Sequence, residues 1–163
     1  MAQLGAPRYS LAGQSCVSRP ECAHDHPDAP LMYAITCAFG DYEALDRFLK
    51  GIFPPYPEGM LSGGDPGWIW YHEKSEDGSD VVVVEIDDII SPPDGMWNEY
   101  SPAKIRYEIR AALNNFALQH PARLPHVAHV IEEFGLGDAM DYPGCTPIPT
   151  WDGTMPTRRI LNS

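Results

Sequence analysis

No long apolar run occurs in this chain. Its apolar runs, such as Val81 to Val84 with Ile86 just beyond, are far short of the roughly 20 residues that a helix needs to cross a bilayer, so no membrane span is expected. Residues 1 to 16 lack a basic segment followed by an apolar one, and no secretory signal is expected. Cysteine is sparse as well. With only Cys16, Cys22, Cys37 and Cys145 and no export pattern, reduced thiols and a cytoplasmic setting are the expectation.

Positive charge is the other scarcity: 11 Lys and Arg stand against 23 Asp and Glu, a net charge of −12. Such a field repels phosphate and anionic membranes, which argues against direct nucleic-acid binding. Enzyme motifs are missing too. There is no G-x-S-x-G, no glycine loop to cradle phosphate and no dinucleotide fingerprint, so no catalytic residue is assigned and no cofactor is expected.

What remains is a globular composition of ordinary length, 163 residues with 44% hydrophobic and 21% charged. A chain of that kind buries a core without staples. Residues 1 to 30 show no sustained period and are broken by Gly5, Pro7, Gly13, Pro20, Pro27 and Pro30, which reads as an irregular tail. Residues 31 to 163 then read as a single α+β domain with a proline-rich C-terminal segment holding Pro143, Pro147, Pro149 and Pro156.

Leu31 to Phe39 alternates between two sets that are both mostly apolar, which suggests a covered strand with Cys37 as a small buried hydrophobe. Asp41 is placed to cap a helix whose stripe is Leu45, Phe48, Leu49 and Ile52. Residues 54 to 67 read as a long loop. Trp68 to His72 and Val81 to Ile86 are β-favouring runs joined by Glu76-Asp77-Gly78-Ser79, a hairpin signal.

Residues 89 to 100 read as a connection to a helix capped by Ser101 and opened by Pro102. Ile105, Ile109, Ala112, Leu113 and Phe116 mark its buried face, with Arg106, Arg110 and Asn114 opposite. A shorter helix from Pro125 to Phe134 carries Val127, Val130 and Ile131, and Thr157 to Leu161 can add an edge strand. The order is β-α-β-β-α-α. A small mixed or antiparallel sheet with helices on one face would bury these stripes.

Three groups of residues hold metal-ligand atoms. Cys16, Cys22, His24 and His26 offer two thiols and two imidazoles, but their spacing is not that of a common zinc finger. His126, His129 and Glu133 share a helical face that points away from the apolar stripe. Glu85, Asp87 and Asp88 close a strand without the lysine that many metal-dependent nucleases place nearby. None carries the pattern of a built site, and no metal is assigned.

The distribution of charge points further. Residues 41 to 100 hold 14 acids against Arg47, Lys50 and Lys74, a net of −11, together with Trp68, Trp70 and Trp97. Aromatics amid charge of one sign suit a contact that is steered electrostatically and anchored by rings. The expectation is a small acidic protein-binding module with Trp68, Trp70, Asp77, Asp80, Asp87, Asp88 and Trp97 as its partner-binding residues. Its concrete form is an immunity protein or inhibitor that neutralises a basic toxin or nuclease.

The alternative is a small enzyme or ligand-binding domain with its pocket between the sheet, the 54 to 67 loop and the proline-rich C-terminal segment, and with Tyr71 and His72 as its polar groups. A homo-oligomer joined through the sheet would use the same aromatics.

Overall fold

The structure is a computed structural model that describes residues 17, 26–56, 59–64, 67–90 and 94–137. These divide into two compact units, one reaching to Pro102 and the other running from Ala103 and including Val17. The fold class is α+β.

The first unit opens with α1 (Ala29–Gly40), then a 3-10 turn (Tyr42–Ala44) and the short α2 (Leu45–Leu49). Four strands follow: β1 (Ser62–Gly64), β2 (Trp68–Lys74), β3 (Asp80–Ile86) and β4 (Met96–Tyr100). They form one sheet in the order β1-β2-β3-β4, with every neighbour antiparallel.

Leu31 to Phe39, expected as a strand, is helical. Both alternate sets in this segment are apolar, so a period of two carried no information there. The segment is buried almost throughout, with Leu31, Met32, Ala34, Ile35 and Ala38 all at 0% exposure, and a fully covered helix has no polar stripe to reveal it. Local preference favours the helix. Pro30 is tolerated in the first turn, Ala29, Leu31, Met32, Ala34 and Ala38 are good helix formers, and the Thr36 hydroxyl donates to Met32 O at 2.8 Å. Cys37 therefore lies on α1, where burial pushes its thiol up to about 11.

Asp41 does not cap the next helix with its carboxylate. Its backbone N–H donates to Ala38 O and its carbonyl accepts from Ala44 N–H, so the residue joins α1 to the 3-10 turn instead. The expected stripe of Leu45, Phe48, Leu49 and Ile52 is buried all the same.

The β2–β3 hairpin forms as the sequence suggests, from Trp68 opposite Ile86 to Lys74 opposite Asp80. Gly78 supplies the left-handed residue of its turn at φ +87°. β4 was expected as connection. Its Met-Trp-Asn-Glu-Tyr run is only five residues long and follows a Pro-Pro-Asp-Gly stretch that reads as loop. Gly95 makes the turn possible: it sits at φ +76°, and a Cβ there would strike the Ile86 carbonyl oxygen.

α1 lies along one face of the sheet, against β2, β3 and β4. The alternate residues Trp68, Trp70, Val82, Val84, Ile86 and Tyr100 are buried on that side. The indole of Trp70 and the phenol of Tyr100 are satisfied. Trp70 Nε1–H donates to Phe48 O at 3.0 Å, and Tyr100 Oη–H donates to Pro27 O at 2.6 Å just before α1. Trp68 meets the rings of both Phe48 and Trp70 edge-on, at 5.2 and 5.3 Å between centroids.

The second unit holds α3 (Pro102–Gln119), a 3-10 turn (Pro121–Arg123) and α4 (Leu124–Glu133). Ile105, Ile109, Ala112, Leu113 and Phe116 are buried on α3 as expected. Arg110 and Asn114, expected on the solvent side, are buried too, at 1% and 0% exposure. Arg110 spends its donors locally, on Leu136 O at 2.8 Å, Gly137 O at 3.1 Å and Asn114 Oδ1 at 3.3 Å. It thus ties α3 to the chain beyond α4. Burial lowers its pKa to about 10, which leaves it charged at neutral pH.

The expected edge strand at Thr157 to Leu161 and nearly all of the N-terminal tail lie outside the described residues. Among the described residues, no helix is long and apolar enough to cross a membrane.

Candidate functional site

The sheet face turned away from α1 carries the other half of each strand. Strand alternation puts Ile69, Tyr71 and Glu73 of β2, Val81, Val83 and Glu85 of β3, and Trp97 and Glu99 of β4 on this side. Register orders them into rows. Ile69, Glu85 and Trp97 lie directly across from one another, as do Tyr71, Val83 and Glu99, and then Glu73 and Val81. Directly opposed residues have Cβ atoms about 4.5–5.5 Å apart, and diagonal neighbours are about 7–8 Å apart.

The result is an open groove of about 790 Å³ along this face. Val83, only 5% exposed, is its apolar floor, and Trp97, 65% exposed, stands over it. Five of its lining residues are acidic, namely Glu73, Glu85, Asp87, Asp94 and Glu99, and among the described residues that line it none is basic. A cation entering the groove would meet carboxylates on β2, β3 and β4.

Two of those carboxylates are already positioned. The Tyr71 hydroxyl donates to Glu85 Oε2 at 2.6 Å along a sheet diagonal, which fixes that carboxylate and leaves Oε1 for another donor. The bond to ionised Glu85, with some burial, pushes the Tyr71 pKa up to about 12. At the groove's end, Asp87 Oδ1 accepts from Ile89 N–H and Ile90 N–H, both at 3.1 Å. Gly67 lies against this carboxylate, and a Cβ at that position would land on it.

The residues expected to bind a partner fall into four groups. Trp97 and Asp87 line the groove, which Trp68 also borders. Trp68 and Trp70 require correction as surface anchors: at 2% and 0% exposure they are core side chains under α1 and α2. The phase of the strand decides this, because the even-numbered residues of β2 face the core.

Asp77 and Asp80 belong to the hairpin's far end and are engaged there. Asp77 accepts from the Ser75 and Ser79 hydroxyls and from Ser79 N–H, bonds that hold its carboxyl down at about 2. Asp80 accepts from Lys74 at 2.7 Å and contacts His72 Nε2 at 2.8 Å, and these partners lower its pKa. Asp88 is exposed just beyond β3.

Sequence reasoning missed Glu73, Glu85, Asp94 and Glu99 as groove residues and placed Tyr71 only in the cleft of the alternative reading. For β2 the signal was present, since Ile69, Tyr71 and Glu73 form the opposite alternate set to the tryptophans. For β4 it was hidden with the strand itself.

Tyr71 and His72, paired in the alternative enzyme reading, point to opposite faces. His72 contacts Asp80 and stacks on Tyr56 at 3.6 Å between ring centroids, with planes 5° apart. Of the metal-ligand groups, Cys16, Cys22 and His24 lie outside the described residues, while His26 Nδ1 accepts from Asp28 N–H at 2.9 Å. His129 Nε2 lies 3.3 Å from Glu133 Oε1, with the His126 ring 6.0 Å from that of His129. Glu85, Asp87 and Asp88 do not converge on a shared point.

Comparison of this chain with protein-family models, curated proteins and solved structures gives no match.

Proposed function

We propose that the outer face of the sheet is a docking surface for a basic protein, and that this chain works as a binding module through it. One observation carries the reading: the groove gathers five carboxylates and no base around an exposed tryptophan. Long-range attraction would accelerate encounter, and Trp97 with the Val83 floor would supply apolar area to be desolvated on contact. A second copy of the chain is a poor occupant, because it would bring the same five acids against these. The concrete form of the module is an immunity protein or inhibitor that neutralises a toxin or nuclease. A partner that acts on nucleic acid must itself be basic to hold phosphate.

The test is site-specific capture. A photo-reactive residue at position 94, on the groove's rim, should crosslink a basic protein in the native cell, and capture should fall as salt rises. The same residue at position 77, on the hairpin turn, should capture much less. Equal capture at both positions, or an acidic protein recovered from position 94, would overturn the proposal.

A further inference from the structure

The geometry points to a guanidinium site at the centre of the groove: the Trp97 indole receives an arginine side chain, whose N–H groups donate to Glu85 Oε1 and the Glu99 carboxylate. This rests on the docking reading above and adds which side chain of the partner is recognised.

Three observations support arginine over lysine. Glu85 stands directly across from Trp97, and Glu99 lies two residues along β4 on the same face, so one aromatic ring has two carboxylates within a side chain's reach. A planar cation can lie on the ring and still present N–H groups to both. An ammonium is a compact point charge without a planar face to stack on the ring. Second, Tyr71 holds Glu85 by Oε2 at 2.6 Å, which leaves Oε1 as an oriented acceptor. Tyr71 is thus a positioning residue. Third, the floor beside these carboxylates is Val83, at 5% exposure, and a surface with an apolar base suits the weakly hydrated guanidinium better than the strongly hydrated ammonium. Asp77 and Asp80 are bonded to their own hairpin, and neither lines the groove.

The experiment titrates the full chain with two peptides of equal length and charge, one alternating arginine with glycine and the other lysine with glycine. The Trp97 indole N–H resonance, assigned through Trp97→Phe, reports binding. The arginine peptide should bind about five to ten times more tightly, as expected for a ring-stacked, carboxylate-bonded cation. Measured by calorimetry, which does not need the indole, Trp97→Ala and Glu99→Gln should each bring the arginine-to-lysine ratio close to one. Tyr71→Phe should lower that ratio, an effect a purely structural tyrosine would not have.

Equal affinity for the two peptides, with both lost in salt, would overturn the guanidinium site and leave the docking surface standing. Failure of the arginine peptide to move the Trp97 resonance would overturn the site as well. The docking reading is judged separately by the position 94 crosslink. Trp97 is mostly exposed, so its variants should keep the thermal midpoint of the parent, and Glu99→Gln repeats the test without touching the ring.

Discussion

The two faces of β2, β3 and β4 are built from alternate residues of the same strands and hold opposite chemistry. Towards α1 the strands present Trp68, Trp70, Val82, Val84, Ile86 and Tyr100, and the polar atoms of Trp70 and Tyr100 have backbone acceptors. The other face presents Tyr71, Trp97 and a set of carboxylates around a valine floor. Two tryptophans from the same acidic region therefore have unrelated roles: Trp70 stabilises the fold, whereas Trp97 is available to a ligand. A residue's neighbours in sequence say less about its role than the phase of its strand.

The largest expected effect separates those tryptophans. Trp70→Ala should destabilise the protein by about 3–5 kcal/mol as a large-to-small core change, while Trp97→Ala should stay within about 0.5 kcal/mol of the parent. Urea unfolding of both variants measures this directly. Similar losses for the two would mean that the outer face is covered and the comparison fails.

A smaller loss should follow from Trp70→Phe, which keeps most of the packing but removes the indole bond to the Phe48 carbonyl, an oxygen that still accepts from Gly51 N–H. About 0.5–1.5 kcal/mol is expected for that one hydrogen bond. Thermal unfolding of this variant beside Trp70→Ala separates the hydrogen bond from the packing.

A third prediction concerns the outer face alone and is read by titration. Tyr71 has its pKa raised from 10.0 to about 12, so its bond to Glu85 contributes stability that is fully present below pH 10 and is lost as pH rises through 12. In Glu85→Gln the phenol should ionise nearer 10, visible in its ultraviolet absorbance. An unchanged titration would mean that the tyrosine does not position the carboxylate.

The smallest effect belongs to the hairpin turn. Asp77, depressed from 3.8 to about 2, contributes stability present above pH 3.8 and lost as pH falls through 2. Asp77→Asn should remove this acid dependence from the turn's amide exchange and leave the arginine peptide's affinity nearly unchanged.

Much of this architecture was legible in the sequence. The β2–β3 hairpin announced itself through β-favouring runs around Asp77-Gly78, and the buried faces of α3 and α4 through their 3.6-residue stripes. Leu31 to Phe39 was not legible by pattern, because a segment buried all round has no polar phase. β4 was hidden by its brevity and by the turn residues before it. The groove was half visible: the acid-rich, aromatic stretch was plain, but charge count cannot tell a carboxylate bonded to its own turn, such as Asp77, from one that faces a groove, such as Glu99. That distinction needs the register.

The central claim is that the outer sheet face, and not net charge as such, captures a cation. Two triple variants test it at equal charge: Glu73→Gln, Glu85→Gln and Glu99→Gln on the groove, against Asp77→Asn, Asp80→Asn and Asp88→Asn around the hairpin and beyond β3. With the arginine–glycine peptide as the probe, affinity measured across a salt series should fall about tenfold or more for the groove triple and lose most of its salt dependence. The control triple should change by no more than about twofold, since exposed charges beyond a Debye length of roughly 8 Å act weakly at physiological ionic strength. Equal losses in the two triples would contradict the account and return the acidic middle of the chain to a general role in solubility.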